Sequence, residues 1–496
     1  MRSRLIARWV VGALAATLFL GATGHVADSK SGAENVDPGL LADAKAHPDA
    51  YFPVVVRGAS SAAASTLSFF AGGTAGDTSQ QGSDSESRVK KAETALSASA
   101  GARRSLAIVG GAAGVLRGSQ IVTLSQTALV DRIVRDATFT ASWNGNDAAN
   151  AVDDAAVQTV EAPVAWRATG LSGKGVTVAV IDSGVADHPD LAGRIVARVD
   201  VTGDGSNGDP GGHGTHVAGL IAGDGAASNG QWTGVAPQAN IASVRVIDAT
   251  GHAKLSTIFA GLQWVISNRS TYNIRIANLS FGGAALSGYQ NDLLASAVEM
   301  LNFSGLTVVV SAGNDGQSGA SSITTPATDP FVITAGAEDT NATVGLKDDS
   351  IAKWSSRGPT AFDGIAKPDL VAPGRRIVGL RASGSTLDTL YPNLEVTAKG
   401  AKTSQYFTLS GTSMAAAIVS GVAALYLERR PSATPREVKA QLTATARPLR
   451  DVQASDQGAG VVDAFAAVTK PQAAAPFTPY PASAAFAEQV FAKLYG

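Results

Sequence analysis

Val176-Thr-Val-Ala-Val-Ile-Asp-Ser-Gly-Val185 runs six apolar or β-branched residues straight into an acid and a glycine. Apolar character at nearly every position, rather than every second one, predicts a strand buried on both faces. The acid then falls at the strand's carboxyl end, where a desolvated carboxylate needs a partner to hold it. Working outward, the same kind of run recurs at Ile241–Val246, Ile274–Leu279, Leu306–Val310 and Val332–Ala335. Helical stretches alternate with these strands at His213–Ala222, Ser256–Ile266, Asp292–Asn302, Ser413–Arg429 and Pro435–Ala446. Strand–helix alternation predicts an α/β domain over residues 146–470, a parallel sheet with helices on both faces. In such sheets the working residues gather at the carboxyl ends of the strands.

The remaining chain reads differently. With 496 residues it exceeds one average domain of roughly 100–200 residues. Tyr51–Val56, Ser105–Val109 and Ile121–Leu124 read as strands, and Arg88–Ala98 and Gln126–Asp136 as helices. Ala71–Ser87 has no periodicity and reads as a loop. Together these predict a small α+β unit within residues 28–145, cored at 51–139 and with few large apolar residues. Asn144-Gly-Asn-Asp147 and Asp153-Asp154 mark an exposed polar linker. Arg2, Arg4 and Arg8 precede a run of 12 apolar residues, Trp9–Leu20, and then small residues. That layout predicts a secretion signal over 1–27, since the run is too short for a bilayer core of about 30 Å. No stable membrane span is expected elsewhere. Residues 471–496 form a Pro/Ala-rich tail ending in an amphipathic piece (Phe486, Val490, Phe491, Leu494), expected to dock on the domain surface.

Composition removes whole classes of chemistry. A net charge of −2 gives no electrostatic footprint for nucleic acid. The absence of cysteine excludes disulfides, thiolate nucleophiles and iron–sulfur clusters. Imidazole chemistry has only six histidines to draw on. Two of them stand in Gly211-Gly-His-Gly-Thr-His-Val-Ala-Gly219, where glycines let other backbone approach His213. The His213/His216 spacing suits a metal, yet no acidic third ligand follows at the usual distance. In Ser410-Gly-Thr-Ser-Met-Ala-Ala-Ala417, Ser413 opens a helix of small residues. It reads either as a helix cap or as a group whose developing charge the helix N-terminus favours. Asn314, after the strand in Val308-Val-Val-Ser-Ala-Gly-Asn-Asp-Gly316, reads as a turn or as an amide pointing into a cleft.

Together, and in this order, Asp-Ser-Gly, His-Gly-Thr-His, Ala-Gly-Asn and Gly-Thr-Ser-Met-Ala resemble the subtilisin-like serine proteases, or subtilases. Asn278-Leu-Ser-Phe-Gly-Gly283, Trp354-Ser-Ser-Arg-Gly-Pro359, Lys367–Gly374 and Gly458–Asp463 extend the resemblance across roughly 160–470. The resemblance implies a secreted serine endopeptidase made as a zymogen. Ser413 would be the nucleophile, His213 the base and Asp182 its orienting partner. Asn314 would supply an oxyanion donor, helped by the Ser413 backbone N–H. Gly251, His252 and Ala253, with Ser280, Phe281 and Gly282, would sandwich an extended substrate strand by β-augmentation. Leu255 and Phe281 would line apolar subsites, and Ala312 and Gly313 the primary pocket, with room for a large side chain there. Protein or peptide substrates are the implied partners. The segment from Tyr51 to Phe139 is similar to an inhibitory propeptide, an intramolecular partner to be cleaved off within 137–158.

Cofactor chemistry is not required by this mechanism. A structural calcium fits the family, with Asp190 of His188-Pro-Asp-Leu191 resembling a ligand position. One departure stands out: the family usually continues Gly-Thr-Ser-Met-Ala-Ala with Pro-His, and here Ala417 and Ile418 follow. Two other readings therefore stay open, a catalytically impaired subtilase-like binding protein and a peptide ligase of the same fold.

Overall fold

A computed structural model describes residues 35–59, 81–143, 152–206, 208–475 and 480–483. The expected secretion signal, part of the 71–87 loop, the 144–147 turn and the amphipathic end of the tail lie outside these residues.

The N-terminal unit is an antiparallel sheet of β1 (Tyr51–Gly58), β2 (Arg104–Leu106), β3 (Gly111–Arg117) and β4 (Val130–Arg135), in the order β2-β3-β1-β4. The continuous Val54-Val-Val56 run has a physical reason: the sheet is covered on both faces. Val54 and Val56 point into the unit's own core with Leu40, Leu96, Leu116, Ile121 and Ile133 from its strands and helices. Val55 points the other way, joining Leu106, Ile108 and Val109 against the large domain. The core of the unit is thus better filled than the sequence suggests.

Several local expectations are corrected. Ile121–Leu124 lies in a helix, Gly118–Ser125, and the stretch expected as helix over 126–136 contains β4. Residues 81–87 belong to the Gln81–Ala95 helix instead of a loop. Beyond Leu106 the expected strand tightens into a 3-10 turn, Ala107–Val109. Asp153 is no exposed linker residue: it is buried, its carboxylate accepts from Ala155 N and Thr340 Oγ1, and its N–H donates to Arg376 O.

β5 (Thr138–Ala141) leaves this unit and enters the large domain. There the main sheet holds β6 (Thr177–Asp182), β7 (Ile195–Asp200), β8 (Asn240–Arg245), β10 (Ile274–Leu279), β12 (Thr307–Ser311), β13 (Ile333–Asp339), β14 (Ser350–Ile351) and β15 (Leu370–Pro373); between β8 and β10 comes the short β9 (His252–Lys254), and after β10 comes β11 (Phe281–Gly282). The order is β14-β13-β12-β10-β6-β8-β7, with β15 also on β13. Every pairing is parallel except β13 with β14. A separate sheet of β16 (Ile377–Leu380), β17 (Glu395–Val396) and β18 (Tyr406–Leu409) flanks it.

The helix Thr412–Arg429 runs through the core, buried at every position from Thr412 to Leu427. Ala417 and Ile418 continue it unbroken, as expected where Ala replaces a helix-interrupting Pro. The helix packs on β10, β12 and β13 and on the His213–Ala222 helix. The tail comes back to the surface of the large domain. Tyr289 donates its hydroxyl hydrogen to Pro481 O at 2.6 Å, and Ser483 N donates to both oxygens of Glu299 at 2.9 and 3.0 Å.

Candidate active site

Asp182 closes β6 and is fully buried. Its oxygens lie 2.8 and 3.0 Å from His213 Nδ1, and Oδ1 also accepts from Ser183 N at 2.7 Å. The carboxylate thereby fixes the imidazole tautomer with Nδ1 protonated, leaving Nε2 free to accept. His213 opens its helix after Gly212, whose φ of 96° only glycine adopts readily. Gly214 allows the close approach: a Cβ there would collide with Gly184 O and lie 3.1 Å from Asp182 Cβ.

A residue outside the motifs singled out in the sequence holds this turn. Buried Asp209 accepts from Gly212 N (2.7 Å), Thr215 N (2.8 Å), Thr215 Oγ1 (2.7 Å) and Ser183 Oγ (2.7 Å). Burial raises its pKa against the pull of these donors. His216 is no partner of His213 in a metal site. Its Nε2 stands 3.1 Å from the carbonyls of Ile377 and Phe407, and burial pushes its pKa down to about 3, so it remains a neutral core residue.

Ser413 is the second residue of its helix. Its hydroxyl donates to Ser280 O at 3.0 Å, while His213 Nε2 is buried without a protein partner. The Ser413–His213 hydrogen bond is therefore not made in this arrangement. Asn314 lies just past β12. Its Oδ1 accepts from Thr412 N and Thr412 Oγ1, both at 3.1 Å, leaving Nδ2 buried and without a protein partner. An amide donor oriented in this way suits a developing oxyanion.

The two expected substrate segments are both occupied, by the chain itself. β5 lies between β9 and β11, antiparallel to each, with Phe139 opposite Ala253, Thr140 opposite His252 and Gly282, and Ala141 opposite Phe281. Ala137 O accepts from Leu255 N (2.9 Å), and Ala141 N donates to Gly251 O (3.1 Å). The Phe139 ring meets Phe281 edge-on, with centroids 6.5 Å apart. The strand ends at Ser142, whose N–H donates to Ser280 O at 3.0 Å and whose carbonyl accepts from Ser413 N at 3.3 Å. Gly411 makes room for the next peptide: a Cβ there would collide with Ser142 O and lie 2.8 Å from Trp143 Cα. Trp143 then turns its ring edge-on to Tyr391.

Thr324 stands beside Ala312 and Gly313, with its N and Oγ1 both donating to Ala312 O. Asp190, the residue named for calcium, is fully buried. One of its oxygens accepts from Ala227 N (2.8 Å) and the other from Tyr406 OH (2.7 Å). Asp204, in the neighbouring Gly/Asp loop, is taken by Arg245. Among the described residues no group of three or more His, Asp or Glu is arranged to hold a metal.

Comparison with known proteins agrees with this geometry. The subtilase family model matches residues 173–463. Serine protease AprX of Bacillus subtilis (strain 168) is 43% identical over 300 residues, 59% of this chain and 66% of the relative. Subtilisin Savinase of Lederbergia lenta is 36% identical over 312 residues, covering 63% of this chain and 97% of that one. In structure the chain is similar to fervidolysin of Fervidobacterium pennivorans, described as a keratinolytic enzyme related to subtilisin. The TM-score is 0.61 at 22% identity, over 86% of this chain and 62% of that one, a likeness of fold. The ordered motifs, the sheet and the family match converge, and the chain belongs to the subtilase family of serine proteases.

Proposed function

We propose that this chain is a secreted serine endopeptidase made as a zymogen, which cuts its own Ser142–Trp143 bond and is then held inhibited by the unit it has cut. The observation that carries this reading is the seating of residues 137–143: a strand added between two substrate-binding edges, with its last carbonyl on the N–H of Ser413. Extended backbone paired on both sides is how a protease holds a peptide for attack.

In the reaction, rotation of the Ser413 side chain away from Ser280 O brings its hydroxyl to His213 Nε2. His213 takes the proton as Oγ attacks the Ser142 carbonyl carbon, and Asp182 stabilises the imidazolium that forms. Charge developing on the Ser142 oxygen meets the Ser413 N–H and the spare Nδ2–H of Asn314. His213 then gives its proton to the departing Trp143 nitrogen, and water releases the acyl-enzyme by the same steps in reverse. After cleavage, the N-terminal unit that ends at Ser142 remains docked through β5 and the Leu106–Val109 contact until it is degraded. Other proteins and peptides then take the place of β5. The basic and apolar start of the chain supports export, and among the described residues no helix is long and apolar enough to cross a membrane.

A fluorophosphonate probe applied to the purified, exported protein tests the chemistry. Covalent labelling at Ser413, lost in Ser413→Ala and His213→Ala, is the expected result. Absence of labelling in folded wild type would establish the binding-protein reading instead. Products ending in free carboxylates, rather than joined peptides, separate hydrolysis from ligation.

A further inference from the structure

We propose that Thr324 closes the primary specificity pocket and restricts this enzyme to small residues at P1, the position whose carbonyl is attacked. The inference rests on the reading above, in which Ser142 occupies P1.

Two segments flank the place where a P1 side chain belongs: Ser280–Gly282 on one side, with a glycine at its end, and Ala312–Gly313 on the other. Thr324 reaches both. A Cβ built on Gly282 would collide with Thr324 Oγ1, and one built on Gly313 would lie 2.6 Å from Thr324 Cγ2 and 2.8 Å from Oγ1. The side chain therefore spans the gap that the glycines leave. It is also fixed there. Thr324 N and Oγ1 donate to Ala312 O at 3.0 and 3.2 Å, and the next residue, Thr325, exchanges two backbone hydrogen bonds of 3.0 and 3.1 Å with Gly283. Thr324 is thus tied to one wall directly and to the other through its neighbour. A buried β-branched side chain held in this way has one rotamer to offer and cannot swing aside for a large guest. The residue the chain itself presents to this pocket is serine, which agrees with a shallow site.

The test uses the exported, self-processed protein and two peptide p-nitroanilides that differ only in P1, alanine and phenylalanine. Wild type is expected to show a kcat/KM for the alanine substrate at least about 10-fold above that for phenylalanine. Thr324→Gly, and more weakly Thr324→Ala, should raise the phenylalanine-to-alanine ratio by about 10–200-fold, the range that a one- or two-carbon change in a pocket commands. Thr324→Val keeps the volume without the hydroxyl and should keep the wild-type ratio. The proposal is overturned if wild type accepts phenylalanine as well as alanine, or if Thr324→Gly leaves the ratio where it was. Fluorophosphonate titration of each preparation separates the levels of the argument. A protein that labels but shows a flat ratio overturns the role of Thr324 alone, whereas wild type that neither labels nor cleaves overturns the protease reading beneath it.

Discussion

At the scale of single residues, the site depends on groups that orient others as much as on those that react. Thr412 orients the Asn314 amide by occupying its oxygen, which leaves Nδ2 without a protein partner and available, on the proposed reading, to an oxyanion. Asn314→Ala should lower kcat on peptide substrates by about 10²–10³ with little change in KM, the scale known for such a donor in subtilisin itself; steady-state kinetics reads this directly. Gly411 acts by having no side chain. Its φ of 160° is ordinary extended backbone, so Gly411→Ala brings no backbone strain, only a methyl group where Ser142 and Trp143 pass. The expected outcome is a folded protein that accumulates uncut, seen on a denaturing gel, and retention of normal processing would remove the close approach from the account. Asp182, His213, Ser413 and Asn314 were all legible in the sequence because each stands at a strand or helix end beside glycines. Asp209 and Thr324 were not. Nothing in Gly-Asp-Gly-Ser-Asn-Gly-Asp or Ile-Thr-Thr-Pro separates a structural acid or a pocket-filling hydroxyl from an ordinary turn residue; only tertiary contact does.

At the scale of elements, the large domain was readable because strands buried on both faces carry apolar residues at successive positions. β10 begins and ends where the sequence put it, and so does the His213–Ala222 helix. The N-terminal unit was harder for a physical reason. β3 is Gly-Ala-Ala-Gly-Val-Leu-Arg, small because neighbours press on it: a Cβ on Gly111 would collide with Val56 O, and one on Gly114 would lie 3.1 Å from Leu96. Such a strand has no hydrophobic signature. Conversely Ile121 and Val122 sit in a helix because tertiary packing outweighs their β preference. The tail contributes a clasp whose strength varies with pH. Glu299 is buried beside Asp329, and burial together with that neighbouring acid holds its pKa well above the usual carboxylate range. Asp329 in turn faces the ammonium groups of Lys367 and Lys439. A carboxyl whose folded pKa exceeds its unfolded value binds more protons when folded, so stability falls as pH rises above about 4.5. Glu299→Gln keeps an acceptor for Ser483 N and loses the charge. Its melting temperature should fall less steeply than wild type between about pH 5 and pH 8, and parallel curves for the two proteins would exclude Glu299 as the source.

At the scale of the whole molecule, the described residues of the two units meet at β5 and at the Leu106–Val109 turn, among other contacts such as Arg104 Nη2 donating to Val201 O at 3.0 Å. β5 fills the cleft, and the Leu106–Val109 turn packs on the Leu255–Asn268 and Leu293–Phe303 helices, with Ile108 N donating to Gln263 Oε1 at 3.3 Å. On the zymogen reading proposed above, the second contact does no chemistry; it would raise the local concentration of the cleaved strand and so keep the enzyme inhibited. Ile108 is 7% exposed at that contact, and burying such a side chain is worth about 1.5–3 kcal/mol. Ile108→Glu should therefore leave self-cleavage intact yet shorten the lag before peptidase activity appears, by about 10-fold or more, in a time course after export.

The central claim is that the chain cuts itself after Ser142. The intact mass of the exported protein, measured beside that of Ser413→Ala, tests it most directly. The account predicts a wild-type catalytic fragment beginning at Trp143 and a variant that keeps residues 28–142 attached. A wild type that retains this segment while folded, or a variant trimmed at the same bond, would contradict it.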